Sequence, residues 1–371
     1  MNKFNYTSTT GLIYRNPIPH VFSKHAYFPW VISLTNGELL CSLVIGEAFE
    51  AANLDTFVLR SNDQGETWSE ALLIVPKKRA GLSSTIIRLT SLPSGEVVGI
   101  VARCRRDDHL EEGLANPENI GFVPTDMSLI RSTDFGHTWE ETETLTPPLI
   151  GPSFEACGPI VVLKDGRWLW PTSTWRGWDG YCPNGMKMVA WVSHDQGNTW
   201  PDYMVVMDGS DNQIIYWESK VVELADGTLS AVAWAYNEKE GKDLVNHYTL
   251  SHDGGKTWLP PTSTGIYGQT MALSELPDGR LLTVYRRMDK PGLWANIVRL
   301  DDKRWINEQE IPLWGTHQAD LSGKSDSMVQ DFNELKFGAP CIHMLPDGSL
   351  FIAFWCYEKL VSNIRWIKVR L

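Results

Sequence analysis

The chain has 371 residues, 33 Lys and Arg against 45 Asp and Glu, and a net charge of −12. The acidic balance argues against a nucleic-acid binder, which shows a basic footprint, and no apolar run is long enough to span a membrane. With 21% charged and 43% hydrophobic residues the chain is expected to fold, and 17 Trp is an excess that asks for either a repeat or an aromatic cleft.

Met1 to Gly11 carry no apolar signal core, so a cytoplasmic setting is expected. Two repeats then run the length of the chain. The first is Leu-x-[Asp/Asn/Ser]-Gly-x-[Leu/Val/Trp], a Gly turn between alternating apolar runs, starting at Leu34, Leu92, Leu163, Leu224, Leu276 and Leu345. The second is Ser-x-Asp-x-Gly-x-Thr-Trp, at Ser61–Trp68, Ser132–Trp139, Ser193–Trp200 and Ser251–Trp258, with a degraded copy from Leu300 to Trp305. Its Asp accepts hydrogen bonds from the turn's own backbone, its Gly supplies a positive φ, and its Trp plugs the turn onto a neighbour. Each unit therefore reads strand, Gly turn, strand, loop, strand, Asp turn, strand. Blade four shows it whole, with strands over Ser219–Leu224, Thr228–Ala235 and Asn246–Leu250 and a fourth after Trp258.

Four antiparallel strands repeated six times predict an all-β fold, a six-bladed β-propeller, as one domain over 1–371. The last unit has room for three strands, so the segment around Gly11 to Asn16 is expected to close it. The six cysteines (Cys41, Cys104, Cys157, Cys182, Cys341, Cys356) show no short pairing with each other or with His, so no metal and no cofactor is expected. They read instead as free, mostly buried thiols.

Six such units with four clear Asp turns resemble the sialidase (neuraminidase) superfamily of Asp-box propellers. The resemblance implies a site on one face, built from inner-strand starts and the loops after second strands. It also implies a carboxylate clamp of three arginines, a nucleophilic Tyr and a Glu that polarises it. At the first arginine position stands Tyr27 of Ala26-Tyr27-Phe28-Pro29, and at the second stands Trp234. Arg286 and Arg287 lie near the third, and the Tyr position reads Phe337-Gly338-Ala339-Pro340. The Glu position does match, as Trp217-Glu218-Ser219-Lys220.

The catalytic candidates are accordingly Glu218, with Glu155 on the adjacent blade as its partner carboxylate, Glu50 and Asp55 in the blade-one loop where the family keeps its acid/base Asp, and His25. Arg103, Arg105, Arg106, Arg176, Arg286 and Arg287 are candidate anion-binding forks. Tyr27, Trp175, Trp217, Trp234 and Tyr357 are candidate contacts for a sugar ring. The expected function is an exo-acting glycoside hydrolase on an oligosaccharide, not a typical sialidase. A uronate lyase and a non-catalytic glycan-binding propeller are the alternatives.

Overall fold

The computed structural model describes residues 5–75, 82–302, 304–321 and 335–371. The chain is all-β: among the described residues six antiparallel sheets, each built on four strand positions and two of them with a short extra strand, follow one another as the blades of a six-bladed propeller. They group into two compact units, residues 147–338 and residues 5–146 with 339–371.

The second of these units holds blades one and two and, from Ala339 on, blade six. Blade one runs His25–Ser33, Leu39–Gly46, Asp55–Ser61 and Leu72–Leu73. Blade two runs Ser83–Ser91, Val97–Arg105, Thr125–Ser132 and Glu140–Thr144. Blade six runs Phe337–Met344, Leu350–Glu358 and Val361–Arg370, and its outer strand is Thr7–Tyr14, paired antiparallel from Thr7↔Arg370 to Tyr14↔Ile364. That strand begins ahead of the expected segment and leaves Asn16 in the following loop.

The other unit holds blades three to five. Blade three runs Trp168–Trp175, Met188–Ser193 and Asp202–Met207 behind an inner strand in two pieces, Ser153–Glu155 and Val161–Val162. Blade four runs Ile214–Glu223, Leu229–Asn237, His247–Ser251 and Thr262–Ser263. Blade five runs Gly268–Glu275, Leu281–Arg287, Leu293–Asp301 and Arg304–Trp314. Within a unit, blades stack face to face. A second strand with a blade on either side, such as Leu39–Gly46, is therefore buried along its whole length and reads as a continuous apolar run. Leu40, Val58, Ile87, Leu89 and Val101 fill the space between blades one and two, and Leu169, Met188, Val221 and Ala231 that between three and four.

The Asp turns form as their chemistry dictates. Asp63 Oδ1 accepts the Ser61 hydroxyl at 2.7 Å and the Thr67 N–H at 2.9 Å, and Ser61 Oγ accepts the Gly65 N–H at 2.8 Å. These donors hold the Asp63 carboxyl down at about 2, the Thr67 hydroxyl contributing most. Gly65 has φ +88° and faces the Phe351 ring of blade six, which Trp68 also meets at 6.2 Å, so the turn docks one blade on its neighbour. The degraded copy is different. The strands ending at Asp301 and starting at Arg304 form a tight hairpin, with Lys303 outside the described residues, and Trp305 packs on Tyr248 at 5.1 Å.

Candidate active site

In the unit of blades three to five, the sheet pattern is broken in two places, and the breaks assemble the site. The blade-four inner strand shifts register between Trp217 and Lys220, with Glu218 at φ +48°. The strand starts at Ile214, ahead of the expected Ser219, and a bulge of this kind re-aims the side chain it carries. A non-Gly residue in the left-handed region costs on the order of 1–3 kcal/mol, a strain characteristic of functional positions. Blade five carries the same device at Thr270, φ +53°. In blade three the inner strand stops at Glu155 and resumes at Val161, across Ala156-Cys157-Gly158-Pro159-Ile160, where Pro159 has no N–H for the ladder.

These interruptions bring Glu155, Cys157 and Glu218 together, with one donor atom of each within 4.8 Å of the others. The bulge takes Glu218 out of register with the second strand, and Glu155 Oε2 accepts its N–H at 2.7 Å. Cys157 Sγ donates to Glu155 Oε1 at 2.9 Å. Burial pushes the Glu155 carboxyl up, against the opposing pull of Cys157, the Glu218 N–H and the Lys220 ammonium. Lys220 is 8% exposed, and its Nζ reaches the carbonyls of Glu218 and Ser219 only at 3.4 Å.

The neighbouring tryptophans correct the expectation of sugar platforms. Trp175, Trp217 and Trp234 are 1–3% exposed. Trp175 stacks on Trp217 at 5.0 Å and Trp217 meets Trp234 at 4.2 Å, so their faces are taken by one another. Trp234 donates to Asp243 Oδ1 at 2.6 Å, and Gln269 Nε2 donates to Asp243 Oδ2 at 3.2 Å. The stack is thus a rigid wall beside Glu218, not an open surface. The arginines here are also committed: Arg176 pairs with Glu238, and Arg286 is buried and donates to the Phe337 carbonyl at 3.2 Å. Arg287 pairs with Asp289 at 2.6 Å and with Glu310, over the Trp294 ring. Tyr181, 57% exposed in the loop after Trp175, is an open aromatic that the sequence pattern did not single out.

In the unit of blades one, two and six, the remaining candidates are mostly scaffold. Tyr27 precedes a bulge with Phe28 at φ +55° and is wholly buried, its hydroxyl 2.5 Å from that of half-buried Tyr357 and its ring edge-on to Phe49 and Trp355. Burial above all, then the Tyr357 contact, raises its ionisation far out of reach, so it offers no nucleophile and no sugar contact. His25 Nδ1 accepts the Ser362 N–H at 3.0 Å, so the neutral ring carries its proton on Nε2, and burial lowers its basicity. Glu50 Oε2 accepts the Leu114 N–H at 3.1 Å, and burial raises its carboxyl. Asp55 opens the third strand of blade one, paired in the ladder with Ile45.

The expected Arg103–Arg105–Arg106 cluster does not exist as a fork. Arg103 is buried against Glu141 at 2.9 Å, and Arg105 lies exposed, 3.7 Å from Asp126. Arg106 is wholly buried and donates to the carbonyls of Glu50 (2.6 Å), His109 and Glu112. Arg103 and Arg106 are thus spent on buried acceptors and Arg105 alone of the three faces solvent, which the alternation of charges along a strand does not disclose.

Residues 114–320 match the family model of the BNR repeat-like domain. Among solved structures, a protein of unknown function from Dyadobacter fermentans is similar at 23% identity and TM-score 0.75, over 99% of both chains. The NanB sialidase of Streptococcus pneumoniae is similar at 14% identity and TM-score 0.65, over 97% of this chain and 70% of that one. A Trypanosoma rangeli sialidase is similar at 15% identity and TM-score 0.60, over 93% of this chain and 55% of that one, so the chain spans about half that enzyme's length. These likenesses establish the fold. No curated protein matches the chain.

Proposed function

The chain belongs to the BNR repeat-like domain family, and on that footing we propose that it is a carbohydrate-active enzyme, a glycoside hydrolase that works with Glu155 and Glu218. The observation that carries this reading is the carboxylate pair on adjacent inner strands, with oxygens within 4.8 Å. Retaining glycosidases place their carboxyls about 5–5.5 Å apart, and inverting ones about 6.5–9.5 Å, which leaves room for a water between them. The separation here favours retention.

Glu155, held up by burial, suits the acid: it protonates the leaving glycosidic oxygen as that C–O bond breaks. Glu218 bonds to the anomeric carbon from the other side. Water, deprotonated by Glu155, then releases the sugar and restores both carboxyls. The strained bulge and the tryptophan wall hold Glu218 in one orientation, so little reorganisation is needed.

A sialic acid carboxylate is a poor fit. Tyr27 and Trp234 stand where the family resemblance places two clamp arginines, and both are buried. Arg286, near the third position, is bound to a carbonyl. Each lost charged hydrogen bond forfeits roughly 1.5–3 kcal/mol of recognition. The reading therefore favours a less charged sugar.

The experiment is release of nitrophenol from a panel of neutral and acidic glycosides. Turnover of a neutral glycoside with little on sialosides is expected. Strong sialoside cleavage overturns the substrate reading. A product that absorbs in the near ultraviolet through a new double bond replaces hydrolysis with elimination.

A further inference from the structure

We infer that Glu155, Cys157 and Glu218 form a binding site for a thiophilic divalent cation of the Zn²⁺ type, held by the two carboxylates and the Cys157 thiolate. This goes beyond the glycosidase reading and does not depend on turnover: the same two carboxylates serve both, so the ion-bound form is a state in which the acid and the nucleophile are occupied.

The geometry suits a single ion. Zinc–oxygen bonds of about 2.0–2.2 Å and zinc–sulfur bonds of about 2.3 Å place neighbouring ligand atoms roughly 3.4–3.6 Å apart on a tetrahedron. The three donor atoms lie within 4.8 Å of one another, and Cys157 Sγ and Glu155 Oε1 are 2.9 Å apart, so reaching tetrahedral spacing takes at most about 1.3 Å of closure for any pair, shared between two side chains. Three protein ligands leave a fourth position open, the pattern of zinc sites that also take water or substrate. The mixed donor set selects against Mg²⁺ and Ca²⁺, which take oxygen alone.

The charge also suits it. Ionised, the three ligands carry three negative charges in a half-buried site, and a dication with the Lys220 ammonium brings the sum to zero. Lys220 is 8% exposed, and its long contacts to two carbonyls leave its charge for the cluster. A separate observation comes from blade three's second strand. Ser173 is paired opposite Glu155 and wholly buried, and its hydroxyl, which meets no partner in good hydrogen-bond geometry, lies close enough to the Glu155 carboxyl to help stabilise its ionised form. That hydroxyl is placed to support a ligated carboxylate or an ion-bound water. The Glu218 N–H on Glu155 Oε2 fixes the same carboxylate from the other side. Binding breaks no covalent bond except S–H: the thiol proton, and any proton on Glu155, pass to solvent as the ion enters, so affinity rises with pH.

The test is a Co²⁺ titration of the full chain, purified without a metal-binding tag. Wild type is expected to gain a thiolate-to-cobalt charge-transfer band in the near ultraviolet and four-coordinate visible bands, both removed by stoichiometric Zn²⁺. Cys157→Ser should lose the charge-transfer band, and Glu218→Gln should weaken binding at least tenfold while keeping it. A wild type without the band overturns the site, and so does a band that survives Cys157→Ser, which assigns the ion to another thiol. No glycoside is present, so a failed titration leaves the hydrolase reading standing, and an inactive enzyme leaves this one standing.

Discussion

Replacing Arg103 by Met should cost the fold, not the substrate. Arg103 Nη2 and Glu141 Oε1 are 2.9 Å apart with side chains 5% and 6% exposed, and Glu141 also accepts the Ser128 hydroxyl at 2.6 Å. At that distance, and an effective dielectric near 20, the Coulomb attraction is about 6 kcal/mol, most of it spent on desolvating both groups. Met keeps much of the volume but strands the Glu141 carboxylate. Breaking a buried pair in this way costs about 3–5 kcal/mol. The Arg103 Nε has no acceptor, which places the expectation at the lower end. Arg103→Met, Glu141→Leu and the double variant are compared by urea titration, followed by tryptophan fluorescence. The double variant, which buries no charge, should recover to within about 1 kcal/mol of wild type. The reasoning is refuted if Arg103→Met costs less than about 1 kcal/mol, or if the double variant is no better than the single.

Three further outcomes follow from the same geometry. Because burial raises the Glu155 carboxyl, the folded state holds that proton more tightly than the unfolded chain, and stability is lost as pH rises through the ordinary carboxylate range to the raised value. Glu155→Gln should therefore melt at or above wild type at neutral pH, and a clear drop there would make Glu155 a structural group. The Asp63 and Asp253 carboxyls are both held at about 2, chiefly by the hydroxyls of Thr67 and Thr257. Their contribution is present above about pH 4 and lost as pH falls through 2, so Asp63→Asn with Asp253→Asn should flatten the acid limb of a stability–pH curve. Gly65→Ala and Gly37→Ala both place a side chain at positive φ, but only at Gly65 does the new methyl meet Phe351. Melting curves should show a cost of about 1 kcal/mol at Gly37 and roughly 2–4 kcal/mol at Gly65, and equal costs would refute the docking role of the Asp turn.

The turns were legible because their chemistry is local: Asp, Gly and Thr at fixed offsets close one loop whatever surrounds it. Repetition reveals the blades, and the fourth strand missing from the last unit points to the N-terminal segment. Glu218 was legible through its place in the repeat. The bulges at Phe28, Glu218 and Thr270 were not, since no Gly marks them and the strain is held by packing between strands. Cys157 reads as one more buried thiol, although it stands two residues after Glu155 and just before a Gly-Pro break, where the inner strand is interrupted. The partners of the arginines are not legible in the sequence, for a physical reason. A guanidinium's role is set by the acceptor it meets, and Glu141, the Glu112 carbonyl and the Phe337 carbonyl lie 6 to 51 residues from their donors. The tryptophans near Glu218 are likewise decided by their neighbours, since Trp175 and Trp234 both pack against the Trp217 ring.

The most direct test of the account is turnover of whichever glycoside wild type cleaves, measured beside Glu155→Gln and Glu218→Gln, with the anomer of the first-formed sugar followed by proton NMR. Loss of at least about a hundredfold in kcat for each variant is expected, with the product formed in the configuration of the substrate. An inverted first product, or turnover that survives both substitutions, would contradict the assignment of the carboxylate pair.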